Sequence, residues 1–181
     1  MKKIIVFLFF LLSGNASYAN SEVVNALKEG SKLVFIRHAL APGGGDPENF
    51  NINDCSTQRN LDEAGIAQAK RIGKFFKDNN IAIEQVFSSE WCRCKDTAKN
   101  AFENYKTFDA LNSFFSSKFA KNKDKQMKDL KTFIKNWNSQ KNIVFVTHYV
   151  VISEVLNSTV NSGTIIVADK NFSVIGSIEI N

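Results

Sequence analysis

Leu33-Val34-Phe35-Ile36-Arg37-His38 and Ile143-Val144-Phe145-Val146-Thr147-His148 are short apolar runs of the same shape, separated by more than a hundred residues. Each ends on one of the chain's only two histidines. Four consecutive β-prone residues read as a strand buried on both faces. The rim just beyond such strands is where open α/β sheets place their chemistry. Two imidazoles at strand ends, one beside an arginine, therefore suggest a site that handles an anionic substrate.

Strand and helix patterns alternate outward from these runs. A short helix over Glu22 to Lys28 precedes the first strand, and a loop rich in Gly, Pro, Asn and Asp follows it from Ala39 to Asn60. At this length the loop is expected to be functional. Asp62 is a fitting N-cap for a helix, with Leu61 and Ile66 at the staple positions. Ile66, Ala69, Ile72 and Phe76 form the inner stripe of that helix, and Lys70, Arg71, Lys74 and Lys77 face out. A second strand is predicted over Ile83 to Phe87, then a helix carrying Thr97, Ala98 and Ala101, then a short strand over Thr107 to Ala110. Lys121 to Trp137 is amphipathic, with Met127, Leu130, Phe133, Ile134 and Trp137 on the core face. After the strand Ile143 to Thr147 come a helical turn and two strands, Thr164 to Ala168 and Phe172 to Ile180, read as an edge hairpin. The pattern predicts a three-layer α/β/α domain with a mostly parallel central sheet and an antiparallel C-terminal edge.

Residues 1–19 read as a secretory signal peptide. Lys2 and Lys3 form a positive start, Ile4 to Leu12 a nine-residue apolar run, and Ser17-Tyr18-Ala19 a small-x-small cleavage pattern. The run is far shorter than the ~20 residues that span a bilayer, so no stable membrane insertion is expected. No cysteine follows the predicted cut, which argues against a lipid anchor. The expected product is residues 20–181, one periplasmic or secreted domain. Losing the two lysines of the leader takes the formal charge from +5 to +3. Nothing resembles a basic stripe with interleaved aromatics, so a nucleic-acid partner is not expected.

Three cysteines remain, Cys55, Cys92 and Cys94. A Cys92–Cys94 bridge would close a very tight ring, so in an oxidising compartment Cys55 is expected to pair with Cys92 or Cys94. The alternative is three small buried thiols. Closing a loop of that size stabilises by roughly 4 kcal/mol in the chain-entropy model. No metal is expected, because C-x-C with two distant histidines is poor spacing for zinc. A cysteine-dependent phosphatase would need an arginine six positions on, where Ala98 and Asn100 stand.

Ser88-Ser89-Glu90-Trp91-Cys92-Arg93-Cys94-Lys95-Asp96-Thr97-Ala98 places Arg93 past the second strand, at a helix start whose free amides favour anions. Adjacent parallel strands end at one rim, so Arg37, His38, Arg93 and His148 are expected to meet. Two guanidiniums and two imidazoles around one point suit a phosphoryl group.

Arg37-His38, Leu61-Asp62-Glu63-Ala64-Gly65 with Gln68-Ala69, Ser88-Ser89…Arg93…Thr97-Ala98 and Thr147-His148 together resemble the histidine phosphatase superfamily, the phosphoglycerate-mutase-like fold. The match covers nearly all of residues 20–181. Asp54-Cys55-Ser56-Thr57-Gln58-Arg59-Asn60-Leu61 with Trp91-Cys92-Arg93-Cys94 resembles a small exported bacterial branch. Some of its relatives are described as lipopolysaccharide core heptose-phosphate phosphatases. The resemblance implies His38 as nucleophile, Arg37 and Arg93 on the phosphoryl oxygens, His148 as donor to them, and no cofactor. It implies a small phosphorylated substrate, with a lipopolysaccharide core sugar phosphate the leading class.

Two positions depart from the family pattern. Ala39 stands where glycine is common, and Ser113 where many members carry the acidic Glu. Glu90, Asp54 and Asp109 are the candidates to replace that acid, and Arg59 and Ser113 are candidate substrate contacts. A member lacking the acid would favour good leaving groups such as phosphohistidine or acyl phosphates. The alternative is a catalytically impaired member of the same fold that binds a phosphorylated ligand without turnover.

Overall fold

The computed structural model describes the backbone of residues 15–181 and the side chains of residues 21–181. Residues 1–14, which hold most of the predicted leader, lie outside the described residues. Six strands form one sheet: β1 Leu33–Arg37, β2 Ile83–Ser88, β3 Lys106–Thr107, β4 Asn142–Thr147, β5 Ile165–Ala168 and β6 Val174–Ile178. Their order is β3-β2-β4-β1-β5-β6. β1 to β4 run parallel, and β5 lies antiparallel to both β1 and β6. This is the predicted mostly parallel sheet with an antiparallel C-terminal side. Of the C-terminal pair only β6 is an edge strand, because β5 is hydrogen-bonded to β1 as well.

The apolar strands are continuous because both faces are covered. Val34, Ile36, Val144, Val146, Ile165 and Val167 face a core shared with α1 (Asn15–Glu29), α2 (Glu63–Asp78) and α3 (Cys92–Phe102). Leu33, Phe35, Ile143, Phe145, Ile166 and Ala168 face the opposite core. There they pack on α5 (Lys123–Asn136) and α6 (Tyr149–Leu156), through Leu130, Ile134, Val151 and Ile152 among others. The short α4 (Ser117–Ala120) precedes α5.

α2 starts where its cap predicts, with the Asp62 carboxylate accepting from Gly65 N at 2.8 Å. Its buried stripe is Gly65, Gln68, Ala69, Ile72 and Phe76, whereas Ile66 is exposed. Ala69, Ile72 and Phe76 are buried as expected, and only the first turn differs, because the rim loop lies over it and a small residue faces that loop. A Cβ on Gly65 would sit 2.0 Å from the Leu40 carbonyl oxygen, and Gln68 Oε1 accepts from Leu40 N at 2.9 Å. A second correction concerns β3, which is two residues long. Asp109 to Leu111 instead form a 3-10 turn that closes one core with Ala110 and Leu111. α1 is also longer than the expected Glu22 to Lys28. Among the described residues no helix is long and apolar enough to cross a membrane.

Candidate active site

β1, β2 and β4 end at the same rim, and register explains why their terminal residues meet. Arg37 lies opposite Thr147, and Ser88 opposite Val146. Past those ends, His38 N donates to the Thr147 carbonyl at 2.9 Å, and Ser89 N to the Val146 carbonyl at 2.9 Å. The two imidazoles are consequently 5.5 Å apart between ring centres, edge to face. Both histidines are almost wholly buried, as is Arg93. They line a cavity of about 730 Å³ with Arg37, Arg59 and Lys118, against the carboxylates of Asp46 and Glu48. Four fixed cations facing two carboxylates make it an anion site.

Hydrogen bonding settles the tautomer of each imidazole. His38 Nδ1 lies 2.8 Å from the Ala39 carbonyl oxygen, which only accepts, so Nδ1 carries the proton and Nε2 keeps its lone pair. Burial, then the charge of Arg93, pushes the His38 pKa down to about 3. At neutral pH this ring is a neutral base with its free nitrogen unblocked. Ala39, at the position where the resemblance leads one to expect glycine, takes no positive φ, so the turn does not require glycine there.

His148 is held the other way round. Arg93 Nη2 faces its Nδ1 at 3.5 Å, and a guanidinium only donates. The proton therefore sits on Nε2, which donates to Ser89 Oγ at 2.9 Å. Ser89 Oγ passes its own hydrogen to Asn112 Oδ1 at 3.0 Å. Burial and then Arg93 hold this imidazole well below its ordinary pKa. Ser89 and Asn112 are orienting residues: Ser89 belongs to the Ser88-Ser89 motif, which marks the strand end without giving the serine a role, and Asn112, an amide in a loop, carries no distinctive sequence signal.

Two neutral buried histidines must gain protons when the chain unfolds in acid. Their folded pKa values are depressed, so the unfolded chain binds more protons below pH 6.5 and stability falls with pH there. From the His38 value of about 3, this one group removes roughly 2 kcal/mol between pH 6.5 and 5. Thermal melts of the wild-type chain and His38→Gln check this. The wild type is expected to lose more stability across that interval than the variant.

Arg93 is clamped from the long loop. Its Nη1 donates to Asp46 Oδ1 at 2.7 Å and its Nη2 to Asp46 Oδ2 at 3.2 Å. Asp46 also accepts from Trp91 Nε1 at 3.0 Å and from Arg59 N at 3.2 Å. Burial works to raise the Asp46 pKa, but the hydrogen bonds and charge of Arg93 outweigh it and hold the carboxyl below its ordinary range. Asp46 was invisible as a site residue in the sequence, one acid in a Gly-Pro loop with no spacing to mark it. Arg37 Nη1 donates to the Val160 carbonyl at 2.7 Å, and its guanidinium stacks over Tyr149 at 5.3 Å. Among the described residues, the Nε atoms of Arg37 and Arg93 have no acceptor.

The remaining candidates divide. Arg59 lines the cavity, pinned to the carbonyls of Ala41 and Gly45. Ser113 lines it too, and its hydroxyl accepts from Phe115 N at 3.3 Å. The three candidate acids are elsewhere. Glu90 accepts from Asn112 Nδ2 at 2.6 Å and, with Asp109, lines a neighbouring pocket. Asp54 caps the 3-10 turn Cys55–Thr57 from an exposed position. Glu90 and Asp109 are near the rim in sequence, but the turns after β2 and β3 carry them to a pocket that shares the Phe50, Trp91 and Phe119 aromatic group with the cavity. The first amide of α3 is likewise not free for an anion, since Cys92 N donates to Gln58 Oε1 at 3.0 Å. Among the described residues no three His, Cys, Asp or Glu side chains cluster as a metal would require.

Cys55 pairs with Cys92, tying the rim loop to the first residue of α3, and Cys94 is a free, buried thiol. Burial pushes the Cys94 pKa up to about 12, so it stays a protonated, inert thiol. Iodoacetamide is expected to leave it unmodified in the native chain and to label it only after denaturation, which mass spectrometry reads directly.

The family model of the histidine phosphatase superfamily (branch 1) matches residues 33–112. No functionally curated protein matches the chain. Solved structures do. The protein histidine phosphatase SixA complexed with tungstate has 12% identity, a TM-score of 0.58, and coverage of 82% of this chain and 96% of the other. A phosphoglycerate mutase from Thermus thermophilus has 16% identity, a TM-score of 0.57, and coverage of 83% and 99%. A structure described as a candidate α-ribazole-5'-P phosphatase from Escherichia coli has 16% identity, a TM-score of 0.59, and coverage of 84% and 100%. At these identities the likeness is one of fold, and that fold is phosphoglycerate-mutase-like.

Proposed function

We propose, for a chain that carries the histidine phosphatase match and the phosphoglycerate-mutase-like fold, that it is a phosphomonoesterase working through a phosphohistidine at His38. The observation that carries this is one cavity holding a buried imidazole with a free Nε2, two arginines and a second imidazole. His38 Nε2 attacks phosphorus in line. The phosphorus–oxygen bond to the leaving group breaks, and that oxygen departs with the electron pair and takes a proton from solvent. Water then attacks phosphorus, the phosphorus–nitrogen bond breaks, and orthophosphate is released. The Nδ1 proton bonded to the Ala39 carbonyl holds the ring in place and steadies the positive charge it gains.

Arg37 and Arg93 take the equatorial oxygens, and an anion supplies the acceptors their Nε atoms lack. The charge of that anion offsets Arg93, so His148 Nδ1 takes up a proton and donates to the same group. Residues 1–19 support export, and that compartment supports a phosphorylated envelope glycan, such as a lipopolysaccharide core sugar phosphate, as substrate.

A second reading, ligand binding without turnover, is favoured by one observation. Of the two carboxylates lining the cavity, Asp46 is ion-paired with Arg93, which leaves only the exposed Glu48 near a leaving group. Hydrolysis of p-nitrophenyl phosphate, an ester with a stable leaving group, decides between them. Turnover by the purified chain in chelator supports the phosphatase. Phosphate binding with no turnover supports the second reading.

A further inference from the structure

Asp46 has no part in the chemistry above, yet it makes a close two-point contact with a phosphoryl ligand, Arg93. A guanidinium has two usable edges, the Nη1–Nη2 end and the Nε–Nη2 side. Asp46 occupies the end of Arg93, at 2.7 and 3.2 Å. Among the described residues, Nε on the side edge has no partner, and Nη2 has on that side only the long 3.5 Å contact with His148 Nδ1. An oxygen seated between that edge and His148 meets the Arg93 donors, and His148 Nδ1 once it has taken up the proton proposed above, without displacing Asp46. The carboxylate is itself fixed, by Trp91 Nε1 at 3.0 Å and Arg59 N at 3.2 Å. Its loop is closed onto α3 by the Cys55–Cys92 bridge.

We infer that Asp46 is a positioning residue for phosphoryl transfer, which turns Arg93 so that its Nε–Nη2 edge faces the phosphoryl group. This rests on the phosphatase reading of the same cavity. The opposing possibility is a competitor, a carboxylate that holds the place of the phosphate until substrate expels it. The two differ in sign. Loss of a positioning group lowers kcat and weakens anion binding, whereas loss of a competitor strengthens anion binding.

The test is p-nitrophenyl phosphate turnover and orthophosphate inhibition for the wild-type chain, Asp46→Asn, Arg93→Lys and the double variant. Asp46→Asn is expected to lower kcat about 10- to 100-fold, the size of effect that misplacing a reacting group by about 1 Å produces. It is expected to weaken orthophosphate inhibition. In the Arg93→Lys background it is expected to change kcat by less than about twofold, because an ammonium has no edge to turn. That coupling is a readout which a loss of general stability does not produce. Where Asp46→Asn does not fold, Asp46→Glu takes its place. It keeps the charge but moves the carboxylate, and is expected to lower kcat about tenfold with the same coupling. Unchanged kcat, tighter orthophosphate binding, or full multiplication of the two losses overturns the inference. A wild-type chain with no turnover sinks the phosphatase reading instead, while an active wild type matched by Asp46→Asn sinks only the positioning role.

Discussion

His38→Ala is expected to lower turnover of p-nitrophenyl phosphate by at least ~10³-fold, because it removes the atom that bonds to phosphorus rather than a group that assists. The same variant is expected to bind orthophosphate within about threefold of wild type, since the cationic donors stay in place. The physical reason for so lopsided an outcome is the division of labour in the cavity. Charge recognition belongs to Arg37, Arg93, Arg59 and Lys118, whereas the only imidazole with a free lone pair not facing a donor is His38. His148 faces Arg93 and has partners on both nitrogens. Steady-state kinetics beside isothermal titration of phosphate checks both halves. Retained turnover in the variant would move the nucleophile elsewhere, and loss of both would mean that the alanine had collapsed the site.

The second large effect is expected from the disulfide. Cys55 and Cys92 are 37 residues apart, and opening a loop of that size costs roughly 4 kcal/mol in the chain-entropy model. Against the 5–15 kcal/mol typical of a domain this is a large share. It corresponds to a fall of about 10 °C in melting temperature for a chain of this length. Activity is expected to fall with it, because Asp46 and Arg59 sit on the loop that the bridge ties down. The paired variant Cys55→Ser, Cys92→Ser, melted beside the oxidised and reduced wild type, reads this. Equal melting points for all three would show that the bridge constrains nothing.

Much of this architecture was legible because it is written in residue type and period. Two fully apolar runs ending in histidine marked the central strands, and strand alternation with helices marked the parallel sheet. Asp62 signalled the start of α2 by capping chemistry alone. What failed did so for local reasons. Ile66 matched the apolar period of α2, yet the helix face is set by the close approach of the Leu40 carbonyl to Gly65, a contact no hydrophobic pattern records. Thr107 to Ala110 has strand-like composition, but Gln126 Nε2 donates to the Asp109 and Asn112 carbonyls at 2.8 and 2.9 Å and holds a 3-10 turn there.

The candidate site shows the same divide. Residues fixed by strand ends, Arg37, His38 and His148, follow from topology, and Arg93 follows from the helix after β2. Of the residues delivered by the Ala39–Asn60 loop, Arg59 is named from the sequence and lines the cavity, but its neighbours do not follow from topology, because a loop's path is set by long-range ties such as the bridge and the Gln58 contact to Cys92. Hence Asp46 went unread, and Asp54, a candidate acid by residue type, caps a turn instead.

The central claim is that phosphorus becomes bonded to His38. Its most direct measurement is rapid quenching of the chain during turnover of p-nitrophenyl phosphate, followed by peptide mass spectrometry under alkaline conditions that preserve phosphoramidates. The account predicts an acid-labile phosphoryl group on the peptide that carries His38, absent from His38→Ala. Turnover with no phosphopeptide at any quench time, or a phosphoryl group on the His148 peptide instead, would contradict it.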